Sequence, residues 1–560
     1  GTMRIIEITN LSKSFNDNLV LDNISLSINS SDKIGIIGKN GCGKSTLIKI
    51  ICGDIDDYEG SVIVSDDRIG YLKQITEYTN EDFLNMCTSK EGLSRFLKLN
   101  SEFGITKDID YSAERLKNLS GGEKTKIALS YILSKDPSIL IMDEPTNHVD
   151  IKSIDYLINI IKNYSGTLIV VSHDRYFLNQ TVNKIIEIDR GKINIYNGNY
   201  DYYVIEKEKE LAKMKSRYEN EQKLDKKIKN EIRKLNEWSN KGEREAGRQG
   251  GMRSDSKIKG VKTNAQRKAA KLSSSAENKK KRLEKLREDF IDKPYESKDI
   301  KYFFNGEDLR ANALIKLTDV SKEYDGKLVF ENANFEIKSN DKIGLIGPNG
   351  CGKSTLIKII NGEIESSTGS IWKTPSLKMA YMSQDVFDID DSLTINEFAS
   401  RFDANKKQFF FSNLVNMGVD RSIFKNKISS LSLGQRMKIK LVQIILEEYN
   451  LLVLDEPTNH LDLENKIELE NALITFPGSI LIATHDRYLL KNLTNSLIVF
   501  ENKEVKKIDK GYSEYFDDKK TIEKDNDISD RKKCLEEMMA RSDISEDEME
   551  KLLQEYSALF

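Results

Sequence analysis

The chain repeats itself, and this duplication limits its architecture more than any other feature. The segments "SDKIGIIGKNGCGKSTLIKIICGDI" (31–55) and "NDKIGLIGPNGCGKSTLIKIINGEI" (340–364) agree at 20 of 25 positions, at an offset of 309. "DEPTNHVD" (143–150) returns as "DEPTNHLD" (455–462), and "SHDRYFL" (172–178) returns as "THDRYLL" (484–490), both at an offset of 312. Three pairs at nearly one offset mean a duplicated domain of about 200 residues. The copies are expected over 3–203 and 313–515, with a linker over 204–312 and an extension over 516–560. Within each copy, short β-branched runs such as "KIGIIG", "SILIMDE" and "TLIVVSHD" alternate with helical patterns. The expected class is α/β, with a largely parallel core sheet in each copy.

Each copy carries G-x-x-x-x-G-K-[ST] after a strand and before a helix: Gly38, Lys39, Asn40, Gly41, Cys42, Gly43, Lys44, Ser45 and Thr46, then Gly347, Pro348, Asn349, Gly350, Cys351, Gly352, Lys353, Ser354 and Thr355. Glycines let backbone N–H groups approach phosphate oxygens, and the helix N-terminus adds positive potential. Lys44 and Lys353 are expected to bridge β- and γ-phosphates, and Ser45 and Ser354 to contact Mg²⁺. Asp143 and Asp455 end apolar strand runs, where a carboxylate can orient Mg²⁺ and its water. Glu144 and Glu456 follow them and are placed to polarise an attacking water. A chance glycine turn or a solvated strand end is the plain alternative for either motif taken alone. Two copies of both motifs in the same order argue against it.

The histidines are informative because all four, His148, His173, His460 and His485, fall in repeated motifs. His173 and His485 directly follow strands, where a neutral imidazole could meet the γ-phosphate or the water. No second ligand stands at metal-binding spacing from either. Gln74 in "GYLKQ" and Gln384 in "AYMSQ" end further strand-like runs and are candidate Mg²⁺ or water contacts.

The 560 residues have a net charge of only −3, but its distribution is uneven. Residues 204–290 hold 27 Lys and Arg against 15 Asp and Glu, a net of +12, which leaves −15 for the rest. No apolar run approaches the ~20 residues that span a bilayer. The N-terminal segment enters a strand-like pattern directly. None of Cys42, Cys52, Cys87, Cys351 and Cys534 forms a C-x-x-C pair, so neither zinc nor a disulfide framework is indicated and a cytoplasmic setting is expected.

Within the linker, Ile205–Trp238 lacks glycine and proline. Its apolar residues Leu211, Met214, Tyr218, Leu224, Ile228, Ile232 and Leu235 are spaced as on a helix. Ala269, Leu272, Ala276, Leu283, Leu286 and Phe290 repeat the pattern, which predicts an antiparallel two-helix coiled coil with Pro294 as its stop. The tip, about 239–263, reads as a long loop. A solvated spacer is the plain reading of such a charge-rich pair. The excess of one sign suits RNA phosphates instead, with Trp238, Arg244, Arg248, Arg253, Lys257, Lys259, Lys262, Arg267 and Lys268 as candidate contacts. The acidic extension reads as a short helical hairpin, either packed on the second copy or solvated.

With these residues in view, the chain resembles a twin-cassette ATPase of the ATP-binding cassette superfamily. "LSGGE" (119–123) resembles that superfamily's signature, and "EPTNHVD" and "EPTNHLD" resemble its F subfamily. The resemblance implies ATP and Mg²⁺ as ligands, ATP hydrolysis, and a monomer whose cassettes close head to tail. Ser120, Gly121 and Gly122 would face the second phosphate loop, and Ser432 and Gly434 of "LSLGQ" the first. Phe15 and Tyr324 match the adenine-stacking aromatic, and Asp150 and Asp462 the coupling loop. Leu433 departs from the pattern: it either crowds the γ-phosphate and slows the site made with the first loop, or points away.

F-subfamily proteins bind the ribosome near the tRNA exit site. The resemblance therefore implies a linker that reaches toward P-site tRNA, large-subunit RNA and the peptidyl transferase centre. The first cassette lacks a large extra insertion, and "EWSNKGEREAGRQGG" looks like the linker of antibiotic-resistance members, so ribosome protection is the leading expectation. A housekeeping translation factor that rescues or regulates stalled ribosomes is the near alternative. An exporter's ATPase subunit is another, disfavoured by the absence of a membrane segment, and a DNA-associated ATPase is a third.

Overall fold

A computed structural model describes residues 3–65, 68–105, 117–250, 264–290, 313–382 and 389–539, together with 551, 552, 554 and 556. The chain divides into two compact units, one of Gly1–Tyr200 with Lys298–Phe560 and one of Asp201–Ser297.

The larger unit holds both cassettes. In the first, β1 (Arg4–Phe15), β2 (Asn18–Asn29) and β4 (Glu59–Val64) form an antiparallel sheet in the order β2-β1-β4. A second sheet has the order β5-β6-β7-β3-β8-β9, built from β3 (Lys33–Gly38), β5 (Ile69–Leu72), β6 (Ile139–Asp143), β7 (Thr167–Val171), β8 (Lys184–Asp189) and β9 (Lys192–Tyr196). All its pairings are parallel except β8 with β9. Every residue of β6 and β7 is buried, which is why "ILIMD" and "TLIVV" are continuous apolar runs rather than alternating ones. Both faces of these strands are covered, so neither can be polar.

The second cassette repeats this plan. β10 (Ala313–Tyr324), β11 (Lys327–Lys338) and β13 (Thr368–Lys373) pair antiparallel. β14 (Met379–Met382), β15 (Leu451–Asp455), β16 (Ser479–Ala483), β12 (Lys342–Ile346) and β17 (Ser496–Glu501) run parallel, and β18 (Glu504–Ile508) returns antiparallel to β17. One pairing, Glu331 with Glu504, joins the two parts into nine strands.

The parallel sheets place the strand ends that carry the motifs at one edge. β3 and β12 run into the glycine loops and then into helices Lys44–Ile51 and Lys353–Asn361. β6 and β15 end on Asp143 and Asp455. Ligands of open parallel sheets bind at this carboxyl end.

The smaller unit is a helix pair, Tyr200–Gly250 and Asn264–Glu288. Arg217 with the Asp289 carbonyl (3.0 Å), Arg287 with Asp225 (2.6 Å), Lys279 with Glu231, and Ser239 with the Ala269 carbonyl (3.0 Å) set an antiparallel register. Two expectations change here. The first helix does not stop near Trp238 but continues to Gly250, through half of the segment read as a loop. Glu, Arg, Ala and Lys favour helix, and the isolated Gly242 and Gly247 cost only about 1 kcal/mol each. The seam also shifts by one residue: Asp225 is 8% exposed and Leu224 is 40% exposed. Asp225 occupies the buried stripe because Arg287 and Lys229 neutralise it there.

The extension begins in one continuous helix, Tyr512–Met539, which holds the first helix expected of the hairpin, and the expected turn lies outside the described residues. No glycine or proline interrupts that stretch. Tyr512 is buried against Leu490, Leu497 and Val499 of the second cassette. Pro294 and the rest of the expected tip, 251–263, lie outside the described residues.

Candidate nucleotide sites

Each glycine loop wraps its lysine. Lys44 Nζ donates to the carbonyls of Gly38 (2.9 Å) and Lys39 (2.8 Å), and Lys353 Nζ to those of Gly347 (2.8 Å) and Pro348 (3.0 Å). Gly43 and Gly352 cap the following helices at φ 106° and 108°, with no side-chain cap. A Cβ on either would meet a valine methyl, Val20 at 2.8 Å or Val329 at 2.7 Å. The first-turn N–H groups, free of a side-chain cap, therefore stand around a lysine held by its own loop, an arrangement that suits polyphosphate.

Ser45 Oγ donates to Asp143 Oδ2 at 2.8 Å, and Gln74 Nε2 approaches the same oxygen at 3.4 Å. Ser354 hydrogen-bonds to Asp455 in the second copy. Asp143 Oδ1 is buried without a hydrogen-bond partner. A hydroxyl, an amide and a carboxylate with a spare oxygen are hard donors that fit Mg²⁺ once phosphate and water complete its shell. Among the described residues, no group of three or more His, Cys, Asp and Glu holds a metal by itself. Gln384 lies outside the described residues.

Glu144 and Glu456 sit in the left-handed region, at φ 52° and 50°. Their N–H groups are fixed to the Val171 and Ala483 carbonyls, both at 2.8 Å. Strain of this kind, about 1–3 kcal/mol, persists where the surroundings hold it and clusters at functional sites. Burial pushes both carboxyls up to about 8. His173 Nε2 lies 3.3 Å from Glu144, and His485 Nε2 lies 3.2 Å from Glu456. Burial holds His485 down to about 3 and His173 well below its ordinary value, so both imidazoles are neutral.

The cassettes meet through these loops. Asn40 donates from its backbone to Asp462 (3.1 Å) and from its side chain to the His460 carbonyl (3.0 Å). Asn349 makes the reciprocal bonds to Asp150 (3.3 Å) and the His148 carbonyl (2.8 Å). The rings of His148 and His460 lie 5.6 Å apart. A cavity of about 440 Å³ opens here, lined by Phe15, Lys44, Ser45, Gln74, Asp143, Glu144 and His173 from one cassette and by Glu456, His460, Lys466 and His485 from the other. Phe15 and Tyr324 are nearly half exposed, with Lys13 Nζ 4.8 Å and Lys322 Nζ 4.9 Å from their ring centroids.

The two signatures are placed differently. Ser120 and Ser432 each cap a helix in a capping box. At Gly122 a Cβ would meet the His148 carbonyl at 2.5 Å and Asn349 of the opposite loop at 3.2 Å. At Gly434 the nearest atoms are Glu468 (2.4 Å) and Asn465 (2.6 Å) of its own cassette. Leu433 is 36% exposed, whereas Gly121 faces the His148 ring.

Sequence reasoning missed three interface residues. Arg175 bonds Glu470 (2.6 Å) and Asp486 (3.1 Å), and Arg487 bonds Asp155 (2.6 Å) and the Ile151 carbonyl (3.1 Å). Both arginines stand in the repeated H-D-R triplet, a signal that was available. The third is Lys466, where the repeat breaks. Of the candidate RNA contacts, Trp238, Arg244, Arg267 and Lys268 are exposed on the helix pair. Arg248 lies on the helix backbone. Arg253, Lys257, Lys259 and Lys262 lie outside the described residues.

The family described as "ABC transporter" matches residues 21–147 and 330–459, and an extension model with the same description matches 186–259. The ribosome protection protein VmlR of Bacillus subtilis (strain 168) is 34% identical over 504 residues, 90% of this chain and 88% of that protein. This chain belongs to the F subfamily of ATP-binding cassette proteins. The energy-dependent translational throttle protein EttA of Escherichia coli (strain K12) is 29% identical over 553 residues, 90% of this chain and 93% of that protein. A crystal structure of archaeal ribosome recycling factor aABCE1 with the stalk protein aP1 shares the fold, with a TM-score of 0.56 at 18% identity over 89% of each chain. The paired cassettes of this F-subfamily chain are ATP-hydrolysing domains. Among the described residues, no helix is long and apolar enough to cross a membrane.

Proposed function

We propose that this F-subfamily ATPase acts in the cytoplasm as a monomer. It binds the ribosome while ATP holds its cassettes together, and it protects the ribosome from antibiotics that act at the peptidyl transferase centre. The observation that carries this reading is the reciprocal engagement of Asn40 with His460 and Asp462 and of Asn349 with His148 and Asp150, in a chain similar over nine-tenths of its length to a ribosome protection protein. Closure would bury two ATP molecules between the cassettes. The basic helix pair, through Trp238, Arg244, Arg248, Arg253, Lys257, Lys259, Lys262, Arg267 and Lys268, would contact large-subunit RNA and P-site tRNA.

Within each site, Lys44 or Lys353 and the loop N–H groups hold the phosphates, while Phe15 or Tyr324 stacks on the adenine. Ser45, Gln74 and Asp143, and Ser354, Gln384 and Asp455, would hold Mg²⁺, which neutralises phosphate charge during transfer. Glu144 and Glu456 orient and polarise the attacking water, and His173 and His485 fix it beside the γ-phosphate. Ser120, Gly121 and Gly122, and Ser432 and Gly434, close over the phosphates. Hydrolysis then permits release from the ribosome.

Glu144→Gln with Glu456→Gln tests the reading. The expected result is ATP binding without turnover, co-sedimentation with 70S particles and blocked translation, while the unmutated chain raises drug tolerance in a sensitive bacterium. Ribosome binding with unchanged drug susceptibility would favour a housekeeping role, consistent with the similarity to the translational throttle protein. ATP binding without ribosome association would overturn the reading.

A further inference from the structure

The helix Leu463–Thr475 of the second cassette carries a lysine into the first nucleotide site. Lys466 Nζ donates to the His173 carbonyl at 3.0 Å, across 293 residues of sequence. It lines the same cavity as Lys44, Asp143 and Glu144. The His173 backbone N–H in turn donates to Glu144 Oε2 at 3.3 Å. One ammonium group from the opposite cassette thus grips the loop that holds Glu144.

The second site lacks this contact. At the 312-residue offset, Lys466 corresponds to Ile154, a buried alkyl side chain that can donate nothing. His485 instead contacts Asn349 of its own cassette at 3.1 Å.

A simple interface pin is the bland explanation, and the neighbouring arginines show what one looks like. Arg175 and Arg487 each end on carboxylates. Among the described residues, no carboxylate lies within ion-pair distance of Lys466. Its hydrogen-bond partner is a neutral carbonyl, the carboxyls of Glu144, Asp174, Glu456 and Asp486 feel its charge at longer range, and an ammonium group has three donors. A cation held this way in the cavity of about 440 Å³ retains donors for an anion.

We propose that Lys466 is a positioning residue acting in trans on the first nucleotide site. When the cassettes close, it fixes the His173 loop and brings positive charge beside the phosphates, so that turnover at the first site requires the second cassette in a way that turnover at the second site does not. This rests on the assignment of Glu144 and Glu456 to their respective sites.

The test uses the full chain with one site silenced at a time. In a Glu456→Gln background, Lys466→Met should slow single-turnover ATP hydrolysis about tenfold, with ATP affinity changed less than about twofold, because the interaction forms on closure. Lys466→Arg should recover most of the rate, and Lys466→Gln should not. In a Glu144→Gln background, the same substitutions should change the rate less than about twofold. A binding measurement gives an independent readout. In the Glu144→Gln, Glu456→Gln protein, chase of a fluorescent ATP analogue should show Lys466→Met accelerating release of one of the two nucleotides. Equal loss at both sites, or no loss at the first, overturns the proposal. If Glu144→Gln alone leaves first-site turnover intact, the assignment of Glu144 fails and the proposal falls with it. If Glu144→Gln stops turnover and Lys466→Met does not slow it, the proposal alone falls.

Discussion

The two nucleotide sites share one set of motifs but not one set of neighbours. At the second, the opposing signature is glycine-rich and Gly122 approaches Asn349, so the facing cassette meets the loop with backbone. At the first, the opposing signature carries Leu433, Gly434 turns toward Asn465 and Glu468 of its own cassette, and Lys466 reaches in. The difference continues along the interface. Arg175 finds Glu470, whereas Arg487 finds Asp155, which lies one turn nearer the start of the corresponding helix. The repeated loops carry the same chemistry, and the differing helices opposite make the sites unequal. The lesson is that a composite site can differentiate without any change in its own motif.

The interface arginines should break the symmetry most strongly. Arg175 and its partners Glu470 and Asp486 are each under 10% exposed. Arg175→Ala leaves two carboxylates buried and should destabilise the closed pair by about 3–5 kcal/mol. Asp155 is 42% exposed, so Arg487→Ala should cost about 1 kcal/mol. Thermal unfolding with saturating ATP analogue checks the ranking, and equal shifts would contradict it.

The signatures should respond less, and in opposite senses. Gly121 has the His148 Cβ 3.3 Å and its ring 3.4 Å from where a Cβ would stand, so Gly121→Leu should cost about 1–3 kcal/mol of closure and slow the second site. Leu433 is already more than one-third exposed, so Leu433→Gly should alter first-site turnover less than about threefold. Site-resolved ATPase rates in the single-glutamine backgrounds measure both.

The smallest effect should be common to the two cassettes. Lys33 donates to the Tyr164 and Gly166 carbonyls, and Lys342 to those of Phe476 and Gly478. Burial lowers both lysines to about 8 from 10.5. The unfolded chain therefore binds more protons between pH 8 and 10.5. The penalty of burying each cation is complete below pH 8 and fades as pH rises through that window. Stability should rise by roughly 1 kcal/mol or less per lysine, given their partial exposure. Lysine Nζ resonances titrating together would show that the cassettes remain alike here, and separate midpoints would extend the asymmetry to the cores.

Much of the fold was legible because the informative segments are contiguous. "KIGIIGKNGCGKST" states a buried strand, a turn requiring positive φ and a helix start within 14 residues. "ILIMDE" places two carboxylates at a strand end by run length alone. The linker was read less well. Spacing favoured Leu224 as a seam residue, and only the partner helix, with Arg287 opposite, made Asp225 the buried one. Gly242 and Gly247 suggested a loop, but the helix formers around them outweigh two glycines.

By itself, the sequence determined that there are two phosphate-binding cassettes, that each carries its lysine, hydroxyl, carboxylate pair and histidine, and that a basic helix pair separates them. Those features are local: each depends on backbone demands and burial that its own neighbours impose. Only the tertiary structure decided that Asn40 meets His460 and Asn349 meets His148, and that Lys466 stands beside His173 where Ile154 has no counterpart role. Such contacts join residues hundreds of positions apart, and they depend on how two packed domains dock, which no local pattern records.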